Sequence, residues 1–228
     1  MVVAGYDREV AGERIATFDC YGTLIDWNGG IRGELARVFG EERADELLTR
    51  YHELEPELEA DGTRSYREVL TEAMRRLGAP PDEEDALARS LPQWRPFPEV
   101  PQALEEARER GWTLAILSNT DRDFIEASMA RLGVPFELAI VASEIGSYKP
   151  ALGHWRAFED RVGRPPDVHV AASLFHDIAP ANDLQLTSVW INRLGEKCDP
   201  RTRSVPSPTR ELPTLSGLAA TLEEIAPS

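Results

Sequence analysis

Five polar side chains follow apolar runs along this chain, and each is of a type that takes part in enzymatic hydrolysis. Asp19 ends the first apolar run, Ser118 and Asn119 follow the second, and Lys149 and Asp177 lie in the loops after the third and fourth. Because the carboxyl ends of parallel strands meet at one crevice, we expect these side chains to lie close together. A carboxylate nucleophile, a hydroxyl and an amide that hold substrate, a cation and a second carboxylate that manages water would suffice for covalent hydrolysis.

The turn that begins at Asp19 has the composition of a tight anion-binding turn. Its sequence is Asp19-Cys20-Tyr21-Gly22-Thr23-Leu24. Gly22 permits a close approach of the backbone, and the neighbouring N–H groups can receive an anion. Taken alone, an aspartate in this turn is compatible with a nucleophile, a metal ligand or a turn-forming residue.

The elements that position these side chains alternate between strands and helices. Five short apolar runs predict strands, at Ile15–Phe18, Trp112–Leu117, Leu138–Ala142, Val168–Ala172 and Ser188–Asn192. Helical patterns that end at glycine lie between them, and strands that are apolar throughout are typical of a parallel sheet with helices on both faces. The predicted fold class is therefore α/β with a doubly wound parallel sheet. Residues 195–213 are predicted to form an exposed loop before a last helix.

One long segment interrupts this alternation. Between Gly29 and Pro98 the apolar residues keep helical spacing over about 65 residues, without a strand pattern. We therefore predict a helical cap domain at 29–95, inserted into a core domain made of 1–28 and 96–228. The glutamate-rich stretch at 53–57 is expected to be a solvated face of the cap. Trp27, in the predicted outgoing hinge at 27–30, either packs the hinge or walls the substrate pocket.

Composition narrows the choice of partners. The net charge is −15, which argues against nucleic acid and anionic membranes, since both reward a basic face. A small anionic substrate stays compatible, because a local pocket can be positive. The sequence has no run of roughly 18 uncharged apolar residues, and it lacks the basic start and apolar stretch of a secretion signal. With only two cysteines, these features predict a cytoplasmic protein.

These motifs and their order resemble the haloacid dehalogenase (HAD) superfamily, over about residues 13 to 225. The resemblance rests on the helical cap and on Asp19…Thr23-Leu24, Leu117-Ser118-Asn119, Tyr148-Lys149-Pro150 and Asp177. It implies a Rossmann-like core in which Asp19 is the nucleophile.

Two departures make the chain more similar to the L-2-haloacid dehalogenase branch than to the phosphatases. Phosphatases usually carry a second aspartate two residues after the nucleophile, as the acid for the leaving alkoxide, and Tyr21 stands there instead. A halide needs no proton, whereas a phosphatase without this acid would lose roughly 10²–10⁴-fold in rate. Phosphatases also usually have an aspartate at the position of Ala172, and fewer carboxylates weaken a Mg²⁺ site.

The resemblance implies hydrolytic dehalogenation of small (S)-2-haloalkanoic acids to 2-hydroxy acids, with no cofactor or metal. Asp19 would displace the halide and form an ester, which water then hydrolyses, with Lys149 and Asp177 as the other catalytic residues. Asn119 and an arginine of the cap would hold the halide. The implied substrate-binding residues are Tyr21, Thr23, Arg50, Ser118, Asn119 and His176. The cap alignment leaves a shift of two residues open, in which case Arg50 is a solvated helix residue.

Three points stay open from the sequence. The dehalogenase branch usually has a serine and an asparagine at the positions of Ala172 and Leu174, so His176 is either a replacement base or a hydrogen-bonded neighbour. A Mg²⁺-dependent phosphatase acting on a small phosphomonoester is the alternative function, with Mg²⁺ on Asp19 and Asp177, and a binding protein without turnover is a third. A homodimer is expected from the resemblance alone.

Overall fold

A six-stranded sheet forms the centre of the molecule. The computed structural model describes residues 14–60, 62–196 and 206–226. The strands are β1 (Arg14–Phe18), β2 (Trp112–Ser118), β3 (Leu138–Val141), β4 (Val168–Ala171), β5 (Ser188–Ile191) and β6 (Arg210–Leu212). Their order across the sheet is β3-β2-β1-β4-β5-β6, and every neighbouring pair is parallel. The predicted α/β class with a doubly wound parallel sheet is confirmed.

Strands β1 to β5 are largely apolar because helices cover both faces of the sheet. One face joins the larger apolar cluster, and the other packs on a smaller cluster around Trp155 and Phe158. Successive side chains of a strand point to opposite faces, so Ile15 and Ala16 belong to different clusters. These five strands lie within one residue of their predicted bounds.

The sixth strand corrects the sequence prediction of a loop over 195–213. Arg210–Leu212 pairs with β5 at the edge of the sheet. Two of its three residues are exposed, so the strand lacks the apolar run by which the others were identified. Residues 197–205 of the predicted loop lie outside the described residues.

Ten α-helices are present in the described ranges. They are α1 (Trp27–Phe39), α2 (Ala44–Glu59), α3 (Tyr66–Leu77), α4 (Ala86–Ser90), α5 (Val100–Glu109), α6 (Arg122–Leu132), α7 (Ala142–Ile145), α8 (Gly153–Val162), α9 (Ala179–Asp183) and α10 (Leu218–Ile225). A π-helical turn at Leu174–Ile178 precedes α9. None of the helices in this part of the chain is long and apolar enough to cross a membrane.

Helices α1 to α4 occupy the predicted insertion between β1 and β2. The two segments that lead into and out of it lie side by side, because Asp26 N donates to Arg95 O at 2.8 Å and Phe97 N donates to Leu24 O at 3.0 Å. The Asp26 side chain accepts a hydrogen bond from Gly29 N and caps α1. The predicted outgoing hinge at 27–30 is therefore the first turn of α1, while the division into core and cap at 29–95 stays a prediction.

Candidate active site

The five polar side chains that follow the strands line one cleft. The cleft has a volume of about 570 Å³ and lies between the carboxyl ends of the strands and helix α2. The structure thus brings together the predicted catalytic residues Asp19, Lys149 and Asp177 and two of the predicted substrate-binding residues, Ser118 and Asn119.

Lys149 is the electrostatic centre of the cleft. Its Nζ lies 2.9 Å from Asp19 Oδ1, 2.6 Å from Asp177 Oδ1 and 2.9 Å from Leu117 O, so all three ammonium donors are used. Burial acts to lower the pKa of Lys149, but the two carboxylates outweigh it and hold that pKa above its ordinary value. Burial acts to raise the pKa of Asp177, but Lys149 and His169 keep it well below the ordinary carboxyl range. Lys149 and Asp177 are therefore both charged at neutral pH.

Thr23 holds the Asp19 carboxylate in place. Its Oγ1 donates to Asp19 Oδ2 at 2.7 Å and accepts from Ala172 N at 2.8 Å. Thr23 is fully buried and is not among the residues that line the cleft. The prediction that Thr23 binds substrate is therefore corrected: it is a positioning residue. Gly22 has a φ of +85°, which supports the tight turn expected there.

Two buried residues, Thr17 and His169, form a hydrogen-bonded chain that ends at Asp177. The sequence analysis did not assign either of them to the site. His169 Nε2 lies 3.0 Å from Asp177 Oδ1, and Thr17 Oγ1 lies 2.9 Å from His169 Nδ1. Thr17 and His169 are paired across β1 and β4. We assign the Nε2–H tautomer, in which Thr17 donates to Nδ1 and His169 donates to the carboxylate. The signal available in the sequence was a polar residue within each of two otherwise apolar strands.

Two buried polar atoms in the cleft have no hydrogen-bond partner among the described residues. They are Ser118 Oγ and Asp177 Oδ2. Buried polar atoms are nearly always paired, so an unpaired one that lines a cleft indicates a partner supplied by substrate or water. The backbone oxygen of Ser118 is fixed by His154 Nε2 at 3.0 Å. Burial lowers the pKa of His154 to about 3, so this structural histidine is neutral.

Asn119 links the Lys149 loop to the cap. Its Oδ1 accepts from Lys149 N at 2.7 Å, and its Nδ2 donates to Lys149 O at 3.0 Å and to Glu59 Oε2 at 3.3 Å. Both ends of the amide are therefore held by protein atoms.

Tyr21 contributes its ring, rather than its hydroxyl group, to the cleft. The hydroxyl lies 3.0 Å from Ser128 Oγ of α6, and the ring is stacked on Tyr66 with centroids 6.2 Å apart. Burial raises the pKa of Tyr21 well above its ordinary value. Tyr21 is therefore not an acid for a leaving group.

Arg50 does not reach the cleft, which corrects its prediction as a halide ligand. Its side chain is exposed on α2 and is not among the residues that line the cleft. His52, two residues later, does line the cleft and is stacked on Trp27 with ring centroids 5.1 Å apart. The sequence analysis left open a shift of two residues in the cap alignment. The observed orientation of α2 agrees with that shift, because His52 lines the cleft and Arg50 does not. Trp27 also lines the cleft and donates to Tyr66 OH at 3.0 Å, so it both walls the pocket and packs the cap.

Two cap glutamates face the cleft, so the prediction of a solvated face at 53–57 is wrong for Glu55. Glu55 and Glu59 are 9% and 8% exposed, because a spacing of four places them on one face of α2. Glu55 Oε1 accepts from Tyr51 OH at 3.3 Å and from Tyr66 OH at 3.0 Å. Burial raises the pKa of Glu55 to about 7, and burial together with Glu55 raises the pKa of Glu59 to about 9.

His176 and Arg193 also line the cleft. His176 Nδ1 lies 3.2 Å from Ser173 Oγ, and burial lowers the pKa of His176, so its imidazole is neutral at pH 7. Arg193 donates to Glu99 at 2.7 Å and to Thr23 O at 2.8 Å. The cleft therefore contains two cations, Lys149 and Arg193, and both are already bound to carboxylates.

The donor set at the strand ends does not fit a Mg²⁺ ion. Asp19 and Asp177 both bind Lys149, and Ala172 stands where a third carboxylate would be needed. Mg²⁺ demands near-octahedral oxygen ligands. In the described part of the chain, no group of three or more His, Cys, Asp or Glu residues is arranged to hold a metal.

Comparison with known proteins places the chain among hydrolases. A sequence model of haloacid dehalogenase-like hydrolases matches residues 13–172. The (S)-2-haloacid dehalogenase 4A of Burkholderia cepacia is 27% identical over 194 residues, which cover 80% of this chain and 84% of that protein. The phosphoserine phosphatase of Thermus thermophilus is 28% identical over 167 residues, which cover 69% of this chain and 67% of that protein.

The solved structures show the same fold. The L-2-haloacid dehalogenase from Xanthobacter autotrophicus with chloropropionic acid covalently bound has a TM-score of 0.79 at 19% identity, over 94% of this chain and 100% of that chain. At such an identity the structural likeness establishes the fold alone.

Proposed function

The chain belongs to the haloacid dehalogenase-like hydrolase family, and we propose that it dehalogenates small (S)-2-haloalkanoic acids through an ester on Asp19. One observation carries the choice of reaction. The residue two positions after the nucleophile is Tyr21, whose hydroxyl group is bonded to Ser128, a residue that does not line the cleft. A leaving group that needs no proton at this position fits the site, and halide is such a leaving group.

In the first step the Asp19 carboxylate attacks C2 of the haloacid. A carbon–oxygen bond forms with inversion, and the carbon–halogen bond breaks with its electron pair leaving on the halide. Lys149 and Thr23 fix the orientation of the carboxylate, which lowers the entropic part of the barrier. Ser118 Oγ, which has no partner among the described residues, donates to the substrate carboxylate together with backbone N–H groups of the Asp19 turn.

In the second step water attacks the carbonyl carbon of the aspartyl ester and releases the 2-hydroxy acid. Lys149 Nζ, already within 2.9 Å of Asp19 Oδ1, stabilises the negative charge that develops on that oxygen. Asp177 Oδ2, unpaired within the described residues, orients the water. His176 accepts a proton from the attacking water and returns it to the alkoxide oxygen of the departing 2-hydroxy acid. With Nδ1–H donating to Ser173, its Nε2 has no partner among the described residues, and its lowered pKa keeps the ring neutral before the step.

Halide release from (S)-2-chloropropionate in EDTA tests this function. We expect release that is abolished in Asp19→Asn and retained in Asp26→Asn, a matched control in which a second cleft carboxylate becomes an amide that still caps α1. Parallel assays use p-nitrophenyl phosphate with Mg²⁺. Phosphate release that requires Mg²⁺, with no halide release from the folded protein, would contradict the proposal and favour the phosphatase alternative.

A further inference from the structure

The departing halide requires a hydrogen-bond donor or a cation on the cap side of the cleft. Arg50 is exposed and does not line the cleft. Lys149 and Arg193 are held by the carboxylates of Asp19, Asp177 and Glu99. Two buried carboxyl groups of α2, Glu55 and Glu59, also line the cleft.

Glu59 has the required position. It is the last residue of α2, it is 8% exposed, and it lines the cleft. Its Oε2 accepts from Asn119 Nδ2 at 3.3 Å, and Asn119 is fixed by two hydrogen bonds to the backbone of Lys149. The Glu59 carboxyl group thus lines the same cleft as Asp19, Lys149 and Asp177, and one of its oxygens is bonded to the core through Asn119.

The surroundings of Glu59 favour its neutral form. Glu55 on the same helix and Asp19 after β1 disfavour a further negative charge, and Lys149 is the cation that acts against them. Tyr51 of α2, Tyr66 of α3 and Tyr148 also interact electrostatically with Glu59, and burial raises the pKa of all three. None of the ion pairs in the described ranges includes Glu59, and a buried carboxylate without a paired cation is costly. The resulting pKa of about 9 leaves a hydroxyl proton on Glu59 at neutral pH.

We propose that the Glu59 carboxyl group donates a hydrogen bond to the departing halide, in the role for which a cap arginine was expected. The inference deepens the proposed dehalogenation and rests on it. In the displacement step the Asp19 oxygen–carbon bond forms, the carbon–halogen bond breaks, and the halide leaves with the electron pair. Glu59 keeps its proton throughout this step and donates a hydrogen bond to the halide. Ionised Glu59 would instead repel both the haloacid and the halide.

Two substitutions at this position separate hydrogen-bond donation from charge. Glu59→Gln keeps a donor that cannot ionise, so its rate of ester formation at pH 7 should stay within about threefold of wild type. Glu59→Ala removes the donor and should slow ester formation roughly 10²-fold, as loss of one preorganised donor does. Glu53→Gln, an exposed change on the same helix, is the matched control and should have no effect. Thermal melting of each variant reports folding.

The pH dependence of ester formation tests the protonation of Glu59 more directly than the rates at pH 7 do. Wild-type ester formation, measured in single turnovers, should fall by about tenfold per pH unit above the pKa of Glu59, whereas Glu59→Gln should lack this alkaline limb. Bromide binding, followed by tryptophan fluorescence, provides a readout without turnover: wild type should lose bromide affinity on the same alkaline limb, and Glu59→Gln should keep it.

The outcomes distinguish the two proposals. Absence of halide release by wild type overturns the proposed function, whereas the bromide titration still tests Glu59. If Glu59→Gln is as slow as Glu59→Ala, or retains the wild-type alkaline limb in both assays, the donor role is overturned. Tighter bromide binding in Glu59→Ala than in wild type would likewise overturn it, because Glu59 would then be repelling the halide.

Discussion

Replacing Lys149 by methionine tests whether the buried charges of the cleft depend on one another as the distances indicate. Methionine keeps an unbranched apolar chain but leaves Asp177 and Asp19, which are 1% and 8% exposed, without their shared cation. Removing one partner of a buried ion pair costs about 3–5 kcal/mol, because the remaining charge is uncompensated. We expect the free energy of unfolding of Lys149→Met to be lower than wild type by about this amount at neutral pH.

The stability that Lys149→Met loses relative to wild type should be larger at neutral pH than at acid pH. In wild type the pKa of Asp177 is held well below its ordinary value, so Asp177 stabilises the fold above the ordinary carboxyl range, and this contribution is lost as the pH falls through the folded pKa. In Lys149→Met burial dominates and the pKa of Asp177 rises above its unfolded value. The variant then loses stability as the pH increases through the carboxyl range, so its deficit is largest at neutral pH and shrinks towards acid pH.

Urea unfolding of wild type, Lys149→Met, Asp177→Asn and the double variant measures this coupling. We expect the double variant to be more stable than the sum of the single changes by about 2–3 kcal/mol, the upper range of coupling for contacting groups. Arg76→Met, which removes exposed ion pairs on α3, is the control and should change stability by less than about 1 kcal/mol. Additive single effects, or a deficit that does not vary with pH, would refute this description of Asp19, Lys149 and Asp177.

Three further predictions concern residues that line or border the cleft. Ser118→Ala should lower kcat/KM for (S)-2-chloropropionate by roughly 10–100-fold through a higher KM, because one hydrogen bond to a charged group is lost. Chemical denaturation should show unchanged stability, because Ser118 Oγ has no partner among the described residues. Tyr21→Phe should leave halide release within about threefold of wild type while lowering stability by about 1 kcal/mol, since the hydrogen bond to Ser128 is lost. A large loss of rate would show that the phenol acts in the chemistry. Arg50→Ala should leave halide release within about twofold, because surface substitutions have small effects, and a strong loss in the steady-state assay would restore Arg50 as the halide ligand.

The core of the fold was predictable because burial leaves a clear sequence signal. Strands covered on both faces must be apolar throughout, which identified β1 to β5 from their sequences. Strand β6 has no such signal, since Arg210 and Glu211 lie exposed at the sheet edge. The convergence of Asp19, Lys149 and Asp177 followed from parallel topology, which brings the ends of such strands together.

The cap side of the site was less predictable because helical phase decides which side chains face the cleft. Successive residues of a helix point about 100° apart, so a shift of two residues exchanges a cleft position for a solvent position. This exchange separates Arg50, which is exposed, from His52, which lines the cleft. Glu55 was assigned to solvent on the basis of its charge, and only the tyrosine hydroxyl groups that bind it reveal its burial. Thr17 and His169 were not assigned to the site, and each is a single polar residue within an otherwise apolar run.

A single turnover in heavy-oxygen water tests the covalent role of Asp19 most directly. If the ester on Asp19 is hydrolysed by attack at its carbonyl carbon, mass spectrometry of the peptide that contains Asp19 will find the heavy oxygen in that carboxylate, and the released 2-hydroxy acid will carry none. Heavy oxygen in the 2-hydroxy acid, with an unlabelled Asp19, would mean that water attacks the substrate directly and would contradict the account.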